Sequence, residues 1–505
     1  MTQALLPFQY EVEKKLKGLT GLGGLPAYLD FVHVMDLRRL ISDHVQARQG
    51  EQGWTDDQMI MALVLLNLAG GDCVDDLRVL EADEGFCRVL REVEHYGRTR
   101  SERRALKRRW RKERTRTFPS PTAVREYLEL FHDPEQEELR EPHKAFIPEP
   151  LKLLRALVLL NGAFAGAVQR RSPVATATMD MDATLVETFK EAALYCYKKF
   201  KAYQPLQVYW AEQGLMLFSE FRDGNVPASY DLLRPFKEAL KLLPEGVAKV
   251  YLRSDTAGYI VELLKYCAEG KNKRFGVIEF AVGADVTEAF KRAVREISEA
   301  DWRTLYRYVD GKRVKTGQEY AEVCFVPNWV AAKKDGPEYR YLAIREPLEE
   351  PALPSMEDQL DLPFPTMDWG KVRYKVTGIV TNRSLPADEL IWWYRERCGK
   401  SEEAHSIMKS DLAGGRLPSG LFGANAAWWQ IMILAFNLNA AMKGLVLGEG
   451  WVKRRMKAIR FGLIRLPGRV LERGRRLIVR LVAGHPANEI LFEARRRMAC
   501  IFDSG

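Results

Sequence analysis

Between residues 174 and 282 the strand and helix signals come in an order that few folds can accommodate. Val174 to Asp182 alternates with period two, placing Thr176, Thr178, Asp180 and Asp182 on one face and Ala175, Ala177, Met179 and Met181 on the other. LQVYWAE and LMLFSEF follow, parted by a short turn at Gln213-Gly214, which predicts a hairpin. Next come a helix over about 229–242, the strand VAKVYLRS ending beside Asp255, a helix over about 258–268, and the strand FGVIEFAV.

Three strands joined by short turns, then alternating helix and strand, is the βββαβαβ order of a ribonuclease-H-like fold. In that topology the first and fourth strands are neighbours, so Asp182 and Asp255 meet despite 72 intervening residues. The expected class is α/β: a ribonuclease-H-like catalytic core (βββαβαβ-α) with a β-rich insertion, flanked by helical N- and C-terminal regions. The chain then divides into a helical N-terminal DNA-binding region (1–170), the first part of the core (171–285), the insertion (286–385), the catalytic helix and rest of the core (386–445), and a basic helical C-terminal region (446–505). In the first of these, Thr55 and Gln58 predict a capping box ahead of the apolar run that ends at Gly70-Gly71. The insertion holds strand-like EYAEVCFV, YRYLAIRE and YKVTGIVT. It also holds a stretch from Glu346 to Asp368 with 7 acids, 5 prolines and no basic residue, either an exposed loop or an acidic shield for the site.

Three acids in separate segments suit metal-assisted phosphoryl transfer. Asp182 and Asp255 each close a predicted strand, and Glu402 lies on a predicted helix with Tyr394, Arg397, His405 and Lys409. At about 100° per residue those five share a face, whereas Glu396 and Glu403 fall opposite. Two ions about 3.5–4 Å apart can activate a nucleophile and stabilise a leaving oxygen in such chemistry. Mg²⁺ takes oxygen ligands and keeps several waters, so three carboxylates suffice, with Mn²⁺ an acceptable substitute. Asp180 shares the face of Asp182 and is a second candidate. Asp255 also suits the N-cap of the following helix.

Charge points to an anionic partner. The chain carries a net +9, and the run Arg98 to Arg116 alone has 11 basic and 2 acidic residues, an equal excess. Its Lys107, Arg108, Arg109 and Arg111 are candidates for DNA-backbone contact, against the alternative of a solvated charge run. A second basic stretch, Lys453 to Arg480, includes Arg454 and Arg455 and is threaded with apolar residues, so part of it must pack. Seven scattered cysteines without a CxxC pair favour a reducing compartment over a disulfide or zinc framework. The N-terminus has no apolar core of signal-peptide type, and the apolar stretch Ala426 to Met442 is interrupted by Gln430, Asn437 and Asn439. A cytoplasmic, nucleoid-associated protein with no membrane span is expected.

The segment Tyr394-x2-Arg397-x4-Glu402-x6-Lys409 resembles the tyrosine-arginine-glutamate-lysine signature of bacterial cut-and-paste insertion-sequence transposases with a DDE site. With YLRSDTAGY, FRDGNVPA and GGRLPSGLFGANAAWWQIMILAFNLNA, it is most similar to the insertion-sequence group numbered thirteen-eighty. One more residue separates Arg397 from Glu402 than in the general signature, whose strict spacing lands on Ser401. The resemblance implies that Asp182, Asp255 and Glu402 bind two Mg²⁺ ions, and that Tyr394, Arg397 and Lys409 contact phosphates near the transposon end. It implies an aromatic that stacks on a flipped base, Trp392 or Trp393. It implies nicking at terminal inverted repeats, strand transfer into target DNA, and a homodimer in a synaptic complex on double-stranded DNA.

Three other readings remain. Asp180-Met-Asp182-Ala-Thr184 matches the DxDxT motif of haloacid-dehalogenase-type phosphatases, but the strand ending at Asp255 offers one acid where that chemistry wants a pair. A catalytically silent DNA-binding protein derived from a transposase retains the same residues. A host nuclease of the same fold is separated by whether inverted repeats flank the gene.

Overall fold

The computed structural model describes residues 17–48, 50–327, 339–348, 364–369, 372–474 and 476–503; most of the anticipated acidic stretch between Glu346 and Asp368 lies outside them. The chain forms two compact units.

The larger unit takes residues 131–410 and 414–441. Helix α1 (Lys152–Arg171) leads into β1 (Thr176–Ala183). The hairpin follows as β2 (Leu206–Trp210) and β3 (Leu215–Glu220), then α2 (Leu233–Leu242), β4 (Lys249–Ser254), α3 (Val261–Ala268) and β5 (Glu279–Ala284). β1 pairs antiparallel with β2 and parallel with β4, which in turn pairs parallel with β5. The order across these strands is therefore β3-β2-β1-β4-β5. The middle of the polar face of β1 does not meet solvent: Thr178 and Asp180 are both buried. Each is partnered, Thr178 Oγ1 donating to Glu212 (2.6 Å) and Asp180 accepting from Arg253, as buried polar groups require.

Residues after β5 extend the same sheet. Helix α4 (Glu288–Arg295) precedes β6 (Arg303–Val309), β7 (Lys312–Val323), β8 (Arg340–Pro347), β9 (Thr366–Trp369) and β10 (Val372–Thr381). β10 pairs antiparallel with β5, carrying β8, β7 and β6 beyond it, so the sheet reaches ten strands. Helix α5 (Ala387–Arg395) then buries Leu390 and Ile391 against Ala281, Leu305, Leu342 and Ile379. Helix α6 (Arg397–Ser406) widens into a π turn over Ile407–Asp411.

Helix α7 (Phe422–Ala441) is long and apolar enough to cross a membrane by length and composition, yet it is buried in this unit. Its polar interruptions satisfy the outer strand of the sheet. Asn437 accepts from the backbone N–H of Met216 (2.8 Å) and donates to its carbonyl (2.9 Å), while Gln430 donates to Ser219 O (2.7 Å). Side chains thus occupy backbone groups that an open sheet edge leaves unpaired.

The smaller unit takes the chain up to Leu130, residues 411–413, and everything from Met442. Its buried helix Asp56–Ala69 opens with the anticipated capping box, Thr55 N–H donating to Gln58 Oε1 (3.0 Å), and ends at Gly70 with φ +90°. The C-terminal region, expected to be helical, holds helices at Glu449–Val452, Met456–Ile459 and Ala487–Asp503 and also a hairpin, Gly468–Arg473 with Arg476–Leu481, which pairs with Leu19–Thr20. In the second strand Leu477, Val479 and Leu481 are half-buried on one face, while Arg476, Ile478 and Arg480 on the other are exposed.

Candidate active site

The last residues paired between β1 and β4 are Met181 and Ser254, so Asp182 and Asp255 emerge side by side at the carboxyl ends of parallel neighbours. Asp255 does cap the turn that follows, its Oδ1 accepting from the Ala257 N–H at 3.1 Å. Asp182 Oδ1 accepts from the Ala183 N–H (2.8 Å), leaving Oδ2 facing Arg397 Nη1 (3.4 Å) and Ser401 Oγ (3.3 Å). Burial raises the carboxyl pKa of Asp182, and the charge of Glu402 raises it further against the opposing pull of Arg397. Burial and then the charge of Asp182 raise Asp255 likewise. Two partly buried carboxylates therefore repel each other, with Glu402, itself exposed, close enough to add to the repulsion.

The helix carrying Glu402 is not continuous with the one carrying Tyr394. Cys398 is extended (ψ 128°) and Gly399 adopts φ +91°, a conformation open to glycine without steric cost. The face expected from Tyr394 to Lys409 is thus interrupted at Gly399, a residue that can break or bend a helix. The extra residue between Arg397 and Glu402 is taken up in this kink, which leaves Arg397 buried beside Asp182 and turns Ser401 onto the same carboxylate. Ser401, on which the strict spacing of the signature lands, is a hydrogen-bond donor to a carboxylate.

Around this pair the cationic groups converge. Burial alone would lower Arg397, but Tyr394, Asp182 and Asp255 raise it, so the guanidinium is firmly charged. Its Cζ lies 5.8 Å from the Tyr394 ring centroid. Gly283 on β5 makes room there: a Cβ on it would stand 3.1 Å from Tyr394 Oη and 2.9 Å from Thr256 N. Lys409 Nζ donates to Leu185 O (3.2 Å), and burial followed by the nearby Lys198 lowers its pKa. Burial, Lys409 and Arg397 push His405 down to about 4, so this histidine is neutral at physiological pH.

Other anticipated residues are committed elsewhere. Both oxygens of Asp180 are held by Arg253, Oδ1 by Nε (2.6 Å) and Oδ2 by Nη2 (2.9 Å), with both side chains essentially inaccessible. Asp180 is therefore unsuited to be either a free ligand or the nucleophile of a DxDxT phosphatase. Trp392 donates to Tyr306 O (2.8 Å), and Arg253 and Arg383 lie over the Trp393 ring.

In the smaller unit the run Arg98 to Arg116 is ordered. Thr99 and Glu102 cap the helix Arg100–Arg108, none of whose residues is buried. Trp110 packs edge-on against Trp54 (5.0 Å), Arg114 lies over Trp54 (5.0 Å) and pairs with Glu94, and Arg109 donates to Gly50 and Gly53 carbonyls. That anchoring leaves Lys107, Arg108 and Arg111 exposed. In the second basic stretch Arg455 pairs with buried Asp411 (2.9 Å), Arg460 binds the carbonyls of Asn67, Leu68 and Asp411, and Arg454 is exposed over Trp451.

The donor set fits a hard cation. It is wholly oxygen, its two inner carboxylates repel each other in a water-poor setting, and a cation between them would relieve that repulsion. Among the described residues no group of three His, Cys, Asp or Glu side chains is placed to hold a metal ion, Asp182, Asp255 and exposed Glu402 included.

The family model of the transposase DDE domain, group 1, matches residues 9–334 and 367–501, most of the chain. The chain belongs to this DDE transposase family. A solved structure similar to this transposase-family chain is the piggyBac transposase synaptic complex with hairpin DNA, determined by cryo-electron microscopy. It is 13% identical, with 88% of this chain and 81% of that one covered at a TM-score of 0.44. No curated protein matches the chain.

Proposed function

We propose that this transposase has a ribonuclease-H-like core and cuts DNA at the terminal inverted repeats of a bacterial insertion sequence, joining the freed 3′ ends to target DNA. The observation that carries the reading is the parallel pairing of β1 with β4, which sets Asp182 beside Asp255 with Arg397 and Glu402 adjacent. The family supports transposition; the strand order supports the fold. Asp182, Asp255 and Glu402 would hold two Mg²⁺ ions, which when bound activate the attacking water or hydroxyl and stabilise the leaving oxygen. The chain's own side chains supply the rest. Arg397 is positioned to neutralise the scissile phosphate, with Tyr394 fixing its guanidinium and Lys409 meeting a neighbouring phosphate. His405, buried and neutral beside Lys409 and Arg397, adds no further positive charge. A homodimer acting within a synaptic complex in the bacterial nucleoid completes the reading.

The test is a cleavage assay on DNA bearing the sequences that flank the gene, with Mg²⁺ or EDTA, for wild type and Glu402→Gln. Metal-dependent nicking at a defined end, reduced at least about 100-fold in the variant, is expected for loss of a charge that positions an ion. Binding without nicking by the wild type would instead favour a catalytically silent DNA-binding protein.

Replacing Lys107, Arg108 and Arg111 by glutamine should weaken duplex binding uniformly across sequences. Each lost phosphate contact should flatten the plot of log affinity against log salt by about 0.9. A titration in which the slope stays constant would assign these side chains to solvation only.

A further inference from the structure

Between β1 and β2 the chain builds a small flap. Val186–Glu187, Leu194–Tyr195 and Lys201–Tyr203 form a three-stranded antiparallel sheet apart from the large one. It is firmly seated. Val186, Ala202 and Tyr203 are buried, and Arg140, locked by Asp223 through two 2.7 Å bonds, donates to Ala192 O at 2.8 Å. A Cβ on Gly224 would stand 2.5 Å from Ala202 O, so the flap lies directly on that backbone.

From this rigid base three large aromatics face outward: Phe189 is 96% exposed, Tyr195 64% and Tyr197 72%. Exposed rings on a well-anchored sheet have no packing role within the chain and mark a contact surface. Lysines accompany them. Lys198 Nζ lies 5.7 Å from the Tyr197 ring and Lys201 Nζ 5.9 Å from that of Tyr195, while residues 184–205 hold four lysines against two glutamates. The flap also adjoins the site. It follows the end of β1 at Ala183, the residue after Asp182, and its Leu185 carbonyl accepts from Lys409.

We propose that this flap grips unpaired nucleotides beside the scissile phosphate, Phe189, Tyr195 and Tyr197 stacking on bases while Lys198 and Lys199 meet the adjoining phosphates. The proposal rests on the DNA-cutting reading of the site. Aromatic rings with interleaved lysines bind single strands irrespective of sequence, because every base offers a π face. Stacked bases of a paired duplex expose no such face, so the flap distinguishes the two forms of DNA.

The experiment uses the full chain in EDTA and measures anisotropy of a labelled oligothymidylate and of a blunt random-sequence duplex. Phe189→Ala and Tyr197→Ala should each lose about tenfold in affinity for oligothymidylate, the scale of one base–aromatic stack, with duplex binding unchanged. Phe189→Trp should restore it. Unchanged oligothymidylate binding in the alanine variants, equal losses on both DNA forms, or a wild type that binds duplex alone would each overturn the proposal. So would intact DNA binding accompanied by a dimer-to-monomer shift in sedimentation, which would give the flap to a second copy of the chain. A wild type that binds neither DNA would overturn the DNA-cutting reading and the flap with it. A wild type that cuts, with flap variants that bind as it does, would overturn the flap alone.

Discussion

Asp182→Asn is expected to lower strand cleavage by about 10³-fold while leaving duplex affinity near that of the wild type, because several kcal/mol of transition-state stabilisation depend on the charge it removes. The same substitution should raise the thermal midpoint of the metal-free protein at neutral pH. Burial holds the folded pKa of both Asp182 and Asp255 above their unfolded values. Stability linked to such groups is fully present below the unfolded pKa and is lost as pH rises through the folded one. Each negative charge in this water-poor site is therefore held at a cost, and removing that of Asp182 also relieves Asp255. Thermal unfolding in EDTA at pH 7, set beside the nicking assay, checks both halves. Added Mg²⁺ should stabilise the wild type more than the variant, since binding to the folded state alone raises its stability. Full nicking activity in Asp182→Asn would remove this residue from the site. A lower midpoint in EDTA would mean that its contacts with Arg397 and Ser401 outweigh the repulsion.

What could be read from the sequence followed from how locally each feature was determined. The ends of β1 and β4 were legible because period-two alternation and turn residues act within a few positions, and the pairing that joins Asp182 to Asp255 follows from element order. The path from Arg397 to Glu402 was not, because a glycine within a helical pattern fits either a tolerated helical position or a break. Gly399 takes the second option, and the difference decides which residues face Asp182. The polar face of β1 suggested two equivalent acids, yet equivalence on a face says nothing about a partner supplied by another strand. Arg253 stands two residues before Asp255 in the sequence, and its side chain is what commits Asp180. The flap is not legible in the sequence because strands of two and three residues carry no measurable period. The anchors that make its aromatics significant, Arg140 and Gly224, come from distant segments.

Asp180→Asn should act in the opposite sense to Asp182→Asn although the two positions are two residues apart on one strand face. Asp180 is 1% exposed and Arg253 is 1% exposed. Burial keeps the Asp180 carboxyl above the usual range even with the guanidinium beside it, so the pair gains little over an apolar replacement. Breaking it is another matter. Asparagine keeps the volume but presents an amide N–H₂ or a neutral oxygen to a buried cation. Arg253 would retain only the Trp393 carbonyl (2.6 Å) and Glu396 (3.2 Å), which is exposed and cannot replace a bidentate partner. A loss of about 3–5 kcal/mol is expected in denaturant unfolding of the larger unit, the scale of an uncompensated buried charge. Because β1 and β4 are the strands that present Asp182 and Asp255, cleavage should fall as well, but with a recovery that separates structure from chemistry. Replacing both partners, Asp180→Leu with Arg253→Met, removes the stranded charge and should restore most of the stability and part of the cleavage. No double substitution that leaves Asp182 neutral should do so. If Asp180→Asn proves as stable as the wild type yet inactive, Arg253 is not its obligatory partner, and Asp180 would have to be counted among the ligands after all.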